Sequence, residues 1–123
     1  MAWDLKSDRP IYTQLIEKIE QKIFSGEYPL GSNLPSVRDL ASEASVNPNT
    51  MQRALAKLEE EGLIVTHRTR GRTITEDANM VKQAKNKLAQ TQISEFLEKM
   101  QLMGFNKDEV LILITDMLKE MKK

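Results

Sequence analysis

Asn49, Thr50, Gln52 and Arg53 make a polar run around Met51, while Met51, Ala54, Leu55 and Leu58 recur at helical spacing. A helix on that spacing turns the four polar side chains away from the core, where they can reach base edges or phosphates. Arg38 precedes them, and Arg68, Arg70 and Arg72 follow in alternation, a spacing compatible with one shared face in a hairpin and equally with a simple solvated strand. This is the chemistry of DNA contact rather than of bond breaking. No nucleophile and base pair, carboxylate dyad, phosphate loop or metal cluster can be identified, so no catalytic, cofactor-binding or metal-ligating residue is expected and an enzyme is excluded. The single histidine, His67, has no cysteine or carboxylate partner at ligand spacing and reads as a strand surface residue. With 0 cysteines, disulfides, thiolate chemistry and cysteine-based zinc sites are ruled out.

The elements that must position these residues are marked by their caps. Ser36 caps a short helix whose first turn carries Asp39, and Pro35 keeps Leu34 out of helical geometry. Asn47 caps the next helix and Pro48 takes its first position, where a missing N–H costs nothing. Two capped helices joined by a tight turn are the layout of a helix-turn-helix DNA reader. Ahead of them, Ile11, Leu15, Ile19 and Ile23 stand four apart in a helix over residues 10–25, with Ser7 or Asp8 to cap it and Gly26 to end it. Trp3 and Leu5 pack against the domain. After Gly62, the segments Leu63 to Thr66 and Arg72 to Thr75 have strand composition, with Gly71 in the turn between them. Three helices and a hairpin make a winged helix-turn-helix over residues 1–76.

From Asp77 the pattern becomes long and helical through Met80, Val81, Ala84, Leu88, Phe96, Leu97 and Met100, until Gly104 breaks it. Asn106 and Glu109 start a second helix as a capping box, and its apolar face carries Val110, Leu111, Leu113, Ile114, Met117, Leu118 and Met121. Two such helices cannot enclose a core alone and need the winged domain, another subunit, or both; residues 77–123 are expected to be a helical dimerisation segment. Its interface candidates are Leu88, Phe96, Leu97, Met100, Val110, Leu113, Ile114, Met117 and Met121. The methionines Met100, Met103, Met117 and Met121 fit this packing better than an adaptable binding groove. The fold class is therefore mainly α with a small β-hairpin.

In 123 residues, 18 basic and 18 acidic side chains cancel. This balance speaks against DNA binding through bulk positive charge and does not exclude a local basic patch. The Glu59-Glu60-Glu61 run and the neutral balance also fit a rival reading, a winged-helix module that binds protein. No apolar run approaches the roughly 20 residues of a membrane span and no signal segment is seen, so a cytoplasmic protein without membrane contact is expected.

Gly31-Ser32-Asn33-Leu34-Pro35-Ser36-Val37-Arg38-Asp39-Leu40-Ala41, the restart Val46-Asn47-Pro48-Asn49-Thr50, Leu58, and Glu61-Gly62-Leu63-Ile64 together resemble the GntR family of bacterial transcription regulators. The Asn-Pro-Asn-Thr restart and short tail resemble its YtrA-like subfamily. The resemblance implies a homodimeric repressor on a palindromic operator, with the recognition helix in the major groove, the wing near the minor groove, and control of a transporter operon. It implies DNA contact by Arg38, Asn49, Thr50 and Gln52 and by Arg70 and Gly71 at the wing tip; Ser36, Asn47, Arg53, Arg68 and Arg72 complete the candidate set. Gln52 stands where larger members often carry arginine, and Thr69 where relatives commonly carry glycine. Local alternatives stay open: Arg38 pairing with Glu43 or Asp39, Arg53 with Glu60 or Glu61, and Asn47 serving as a cap. A small-molecule effector would sit in a pocket between tail and winged domain lined by Met and Phe, unless the protein responds only to its own concentration.

Overall fold

The apolar residues four apart in the first helix all turn inward. α1 spans Ile11–Phe24 and buries Leu15, Ile19 and Ile23 together with Gln14. The computed structural model describes residues 3–121. Neither Ser7 nor Asp8 caps α1, because Pro10 itself occupies the N-cap position and both lie too far upstream. Gln14 instead ties that upstream segment down: its amide nitrogen donates to the Lys6 and Arg9 carbonyls at 2.7 and 2.9 Å, and its oxygen accepts from the Lys6 amide at 2.6 Å. These bonds satisfy a polar group that burial would otherwise penalise. Trp3 and Leu5 pack on the core as expected.

α2 spans Val37–Ala44 and α3 spans Pro48–Glu60. Ser36 Oγ accepts from the Asp39 amide at 3.1 Å, and Asn47 Oδ1 from the Asn49 amide at 2.7 Å, so both caps form where the sequence places them. Only Ser45, Val46 and Asn47 join the helices. Leu40, Ala41, Ala44, Met51, Ala54, Leu55 and Leu58 meet the buried face of α1 in one core. Each large aliphatic side chain buried there contributes about 1.5–3 kcal/mol.

β1 (Ile64–His67) and β2 (Gly71–Ile74) pair antiparallel, with Ile64 opposite Ile74 and His67 opposite Gly71. The strands begin and end one residue away from the expected positions, so Gly71 opens β2 rather than lying in the turn. Its φ of +78° closes the hairpin, and a Cβ there would meet nothing within 4 Å, so backbone conformation rather than crowding calls for glycine. β2 also pairs on its other edge: Asn33 bridges Thr73, the Ile74 amide donates to the Ser32 carbonyl at 2.9 Å, and the Leu34 amide donates to the Arg72 carbonyl at 2.9 Å.

α4 spans Ala78–Leu102 and α5 spans Lys107–Met121. Asp77 Oδ1 accepts from the Met80 amide at 3.2 Å. The α5 capping box closes in both directions, Asn106 amide to Glu109 Oε1 and Glu109 amide to Asn106 Oδ1, each at 2.9 Å. The chain forms two compact units, the first ending at Ala84 and the second beginning at Lys85. The first reaches past residue 76 because Val81 and Ala84 pack on the winged core. Gly62 follows α3 with φ of +87°, a conformation that strains any side chain, and a Cβ there would lie 2.6 Å from Met80 Sδ, so the methionine side chain would have to move. No described helix is long and apolar enough to cross a membrane.

Candidate nucleic-acid interface

α3 buries Met51, Ala54, Leu55 and Leu58 and leaves Asn49, Gln52 and Arg53 exposed, with Thr50 half-buried. The Asn47 side-chain oxygen is committed to the cap, which leaves only its amide nitrogen for a ligand. Ser36 likewise holds the Asp39 amide, and its hydroxyl hydrogen is left to donate.

Arg38 stands exposed on the first turn of α2. The ion pairs formed by described residues are Arg9 with Glu17, Lys22 with Glu27 and Lys57 with Glu60, so Arg38 pairs with neither Asp39 nor Glu43. Glu43 accepts instead from the Trp3 indole at 3.1 Å. Arg53 pairs with neither Glu60 nor Glu61; its guanidinium lies over the Tyr12 ring, 4.6 Å from the centroid. Tyr12 belongs to α1, so patterning along α3 alone does not reveal it.

The three hairpin arginines do not share one face. Arg68 and Arg70 stand exposed in the turn, outside strand geometry, whereas Arg72 lies on β2 opposite Thr66 and is half-buried. Its Nε is enclosed without a hydrogen-bond partner, a cost that a nearby acceptor would relieve. His67 Nε2 and Thr73 Oγ1 lie 2.9 Å apart across the hairpin, a structural role.

The tail candidates divide. Val110 is only 4% exposed within the single chain, so a partner has little left to cover there. Leu88, Met100 and Ile114 are half-buried, while Phe96, Leu97, Leu113, Met117 and Met121 are exposed. Ile93, Leu102, Met103, Leu111, Ile112 and Leu118 are exposed as well, which enlarges the apolar surface beyond the expected set. An apolar cavity of about 650 Å³ lies at the α4–α5 corner, lined by residues that include Leu97, Phe105 and Val110 but no methionine.

A winged helix-turn-helix carrying a polar recognition helix is a DNA-binding arrangement, and comparison with known proteins agrees. The family model for bacterial regulatory proteins, gntR family, matches residues 11–74. The chain belongs to the GntR family. Among GntR-type relatives, the HTH-type transcriptional regulator YhcF of Bacillus subtilis is 37% identical over 106 residues, 86% of this chain and 88% of that protein. The HTH-type transcriptional repressor YtrA of Bacillus subtilis is 44% identical over 75 residues, 61% of this chain and 58% of that protein. A GntR family transcriptional regulator from Listeria monocytogenes has the same fold, with a TM-score of 0.85 at 37% identity over 91% of this chain and 98% of that one. The protein is thus a DNA-binding transcription regulator of the GntR family and not an enzyme.

Proposed function

We propose that the protein is a repressor that binds a palindromic operator as a homodimer. Each winged domain takes one half-site with α3 in the major groove and the hairpin turn beside the minor groove. The observation that carries this reading is the α3 surface, where Asn49, Gln52 and Arg53 are exposed, together with an exposed Arg38 on α2 that joins none of the ion pairs among the described residues. Asn49, Thr50 and Gln52 read base edges, while Arg38, Ser36 and the Asn47 amide hold phosphates. Arg68 and Arg70 reach the duplex from the turn, and Gly71 lets the backbone come close. The repressor sense follows the similarity to YtrA, itself a transcriptional repressor.

The test is selection of duplexes from a random-sequence library by the full-length protein, followed by footprinting. An inverted repeat is expected; selected sequences without one overturn the palindrome, and no enrichment overturns specific recognition. Arg38→Ala is expected to weaken binding to the selected duplex and to mixed-sequence DNA alike, lowering the salt slope by about 0.9 for each protomer bound. An unchanged affinity and slope would remove Arg38 from the interface.

A further inference from the structure

Arg53 lies one helical turn beyond Asn49 on α3, and it is exposed. Its guanidinium covers the Tyr12 ring at 4.6 Å, and it forms no ion pair with any described carboxylate. Tyr12 belongs to the first turn of α1, is half-buried and packs against the core, so its ring is a fixed plate. A guanidinium laid on such a plate has one face covered and its in-plane N–H donors still directed outward. An exposed arginine without this support must be ordered when it meets DNA, at a cost in rotamer entropy. Here the ordering exists before contact. The tether also draws the side chain toward α1, whereas recognition helices read bases mainly with residues near their N-termini.

We propose that Tyr12 is a positioning residue for DNA binding: its ring presents the Arg53 guanidinium as a preset clamp for a backbone phosphate on the flank of the recognition helix. Arg53 then strengthens binding to every sequence and selects none. This inference rests on the DNA-binding reading of α3.

The test compares wild type, Tyr12→Phe, Tyr12→Leu, Arg53→Gln and the Tyr12→Leu/Arg53→Gln double variant on a duplex selected by the wild-type protein and on mixed-sequence DNA. Arg53→Gln is expected to lower the salt slope by about 0.9 for each protomer bound, without altering sequence preference. Tyr12→Leu should weaken both duplexes about threefold to fivefold, Tyr12→Phe should match wild type, and Tyr12→Leu should add nothing once Arg53 is glutamine. The Arg53 side-chain proton resonances, shifted upfield by the ring in wild type and in Tyr12→Phe, report the stack directly even if Tyr12→Leu fails to fold. Absence of that shift overturns the proposal. So does a Tyr12→Leu loss that persists without Arg53, a Tyr12→Phe loss equal to that of Tyr12→Leu, or a changed base preference in Arg53→Gln. If wild type selects no duplex, the DNA-binding reading itself has failed; if it selects one that Tyr12→Leu binds equally well, only the clamp has.

Discussion

Ser45 ends α2 in the left-handed region, φ +61°, which no other described non-glycine residue adopts. In that conformation the Val46 amide reaches back to the Ala41 carbonyl at 2.9 Å and closes the turn into α3. A side chain there is strained, and glycine removes the strain while adding entropy to the unfolded chain. Ser45→Gly is therefore expected to stabilise the protein by about 0.5–1 kcal/mol, read as a higher midpoint in thermal or urea unfolding. A lower midpoint would mean that the serine side chain contributes something the turn geometry does not reveal. The caps at Ser36, Asn47 and Asn106 were legible in the sequence because a cap needs only its own residue and the next few amides. Ser45 was not, since serine carries no mark of a left-handed backbone. The Arg53–Tyr12 stack was hidden for another reason: its partners meet only after α1 packs beside α3, and local sequence offered Glu60 and Glu61 as nearer partners.

Between elements, the α1–α3 contact confines a charge that periodicity alone does not flag. Glu20 on α1 is half-buried, and burial, with Glu61 at the end of α3 and Glu17 on its own helix adding like charge, raises its carboxyl from the ordinary 4.5 to about 7. Because the folded state holds this proton more tightly than the unfolded chain, stability is greatest below the unfolded value. It falls as pH rises through the window from 4.5 to about 7 and stays reduced above it. Glu20→Gln should raise the melting temperature at about pH 8 and leave it nearly unchanged at about pH 4, flattening the pH profile between them. Equal gains at both ends would assign the effect to packing rather than ionisation. The hairpin shows a similar limit of sequence reading. Its existence followed from β-branched composition and Gly71, yet pairing moved each strand by one residue and narrowed the turn to residues 68–70, which still hold Arg68 and Arg70. The added edge at residues 32–34 carries no strand pattern and forms because β2 presents an open side to it.

At the scale of the molecule, equal numbers of basic and acidic residues mean that attraction to DNA must come from placement, which the proposed function assigns to α2, α3 and the hairpin turn. Placement alone gives each winged domain a short footprint, and a symmetric pair reads two half-sites at a spacing fixed by the dimer. The α5 stripe of Leu113, Met117 and Met121, four residues apart, was legible in the sequence, and in the single chain all three are exposed. The end of the first compact unit was not legible, because α4 continues unbroken across it and only packing of Val81 and Ala84 on the core marks the division. In the single chain Met117 is 65% and Leu111 63% exposed, and each such side chain covered by a partner would contribute about 1.5–3 kcal/mol to association. Leu113→Glu with Met117→Glu changes positions that one chain leaves open, so the winged domain should melt as in wild type. Sedimentation equilibrium should then show a monomer for the variant and the proposed dimer for wild type. Affinity for the selected palindrome should fall to that for a duplex carrying one half-site, on which the variant and wild type should bind alike. A variant that stays dimeric would move the interface away from this face of α5, and a monomeric variant that retains full affinity for the palindrome would show that the two reading heads act independently.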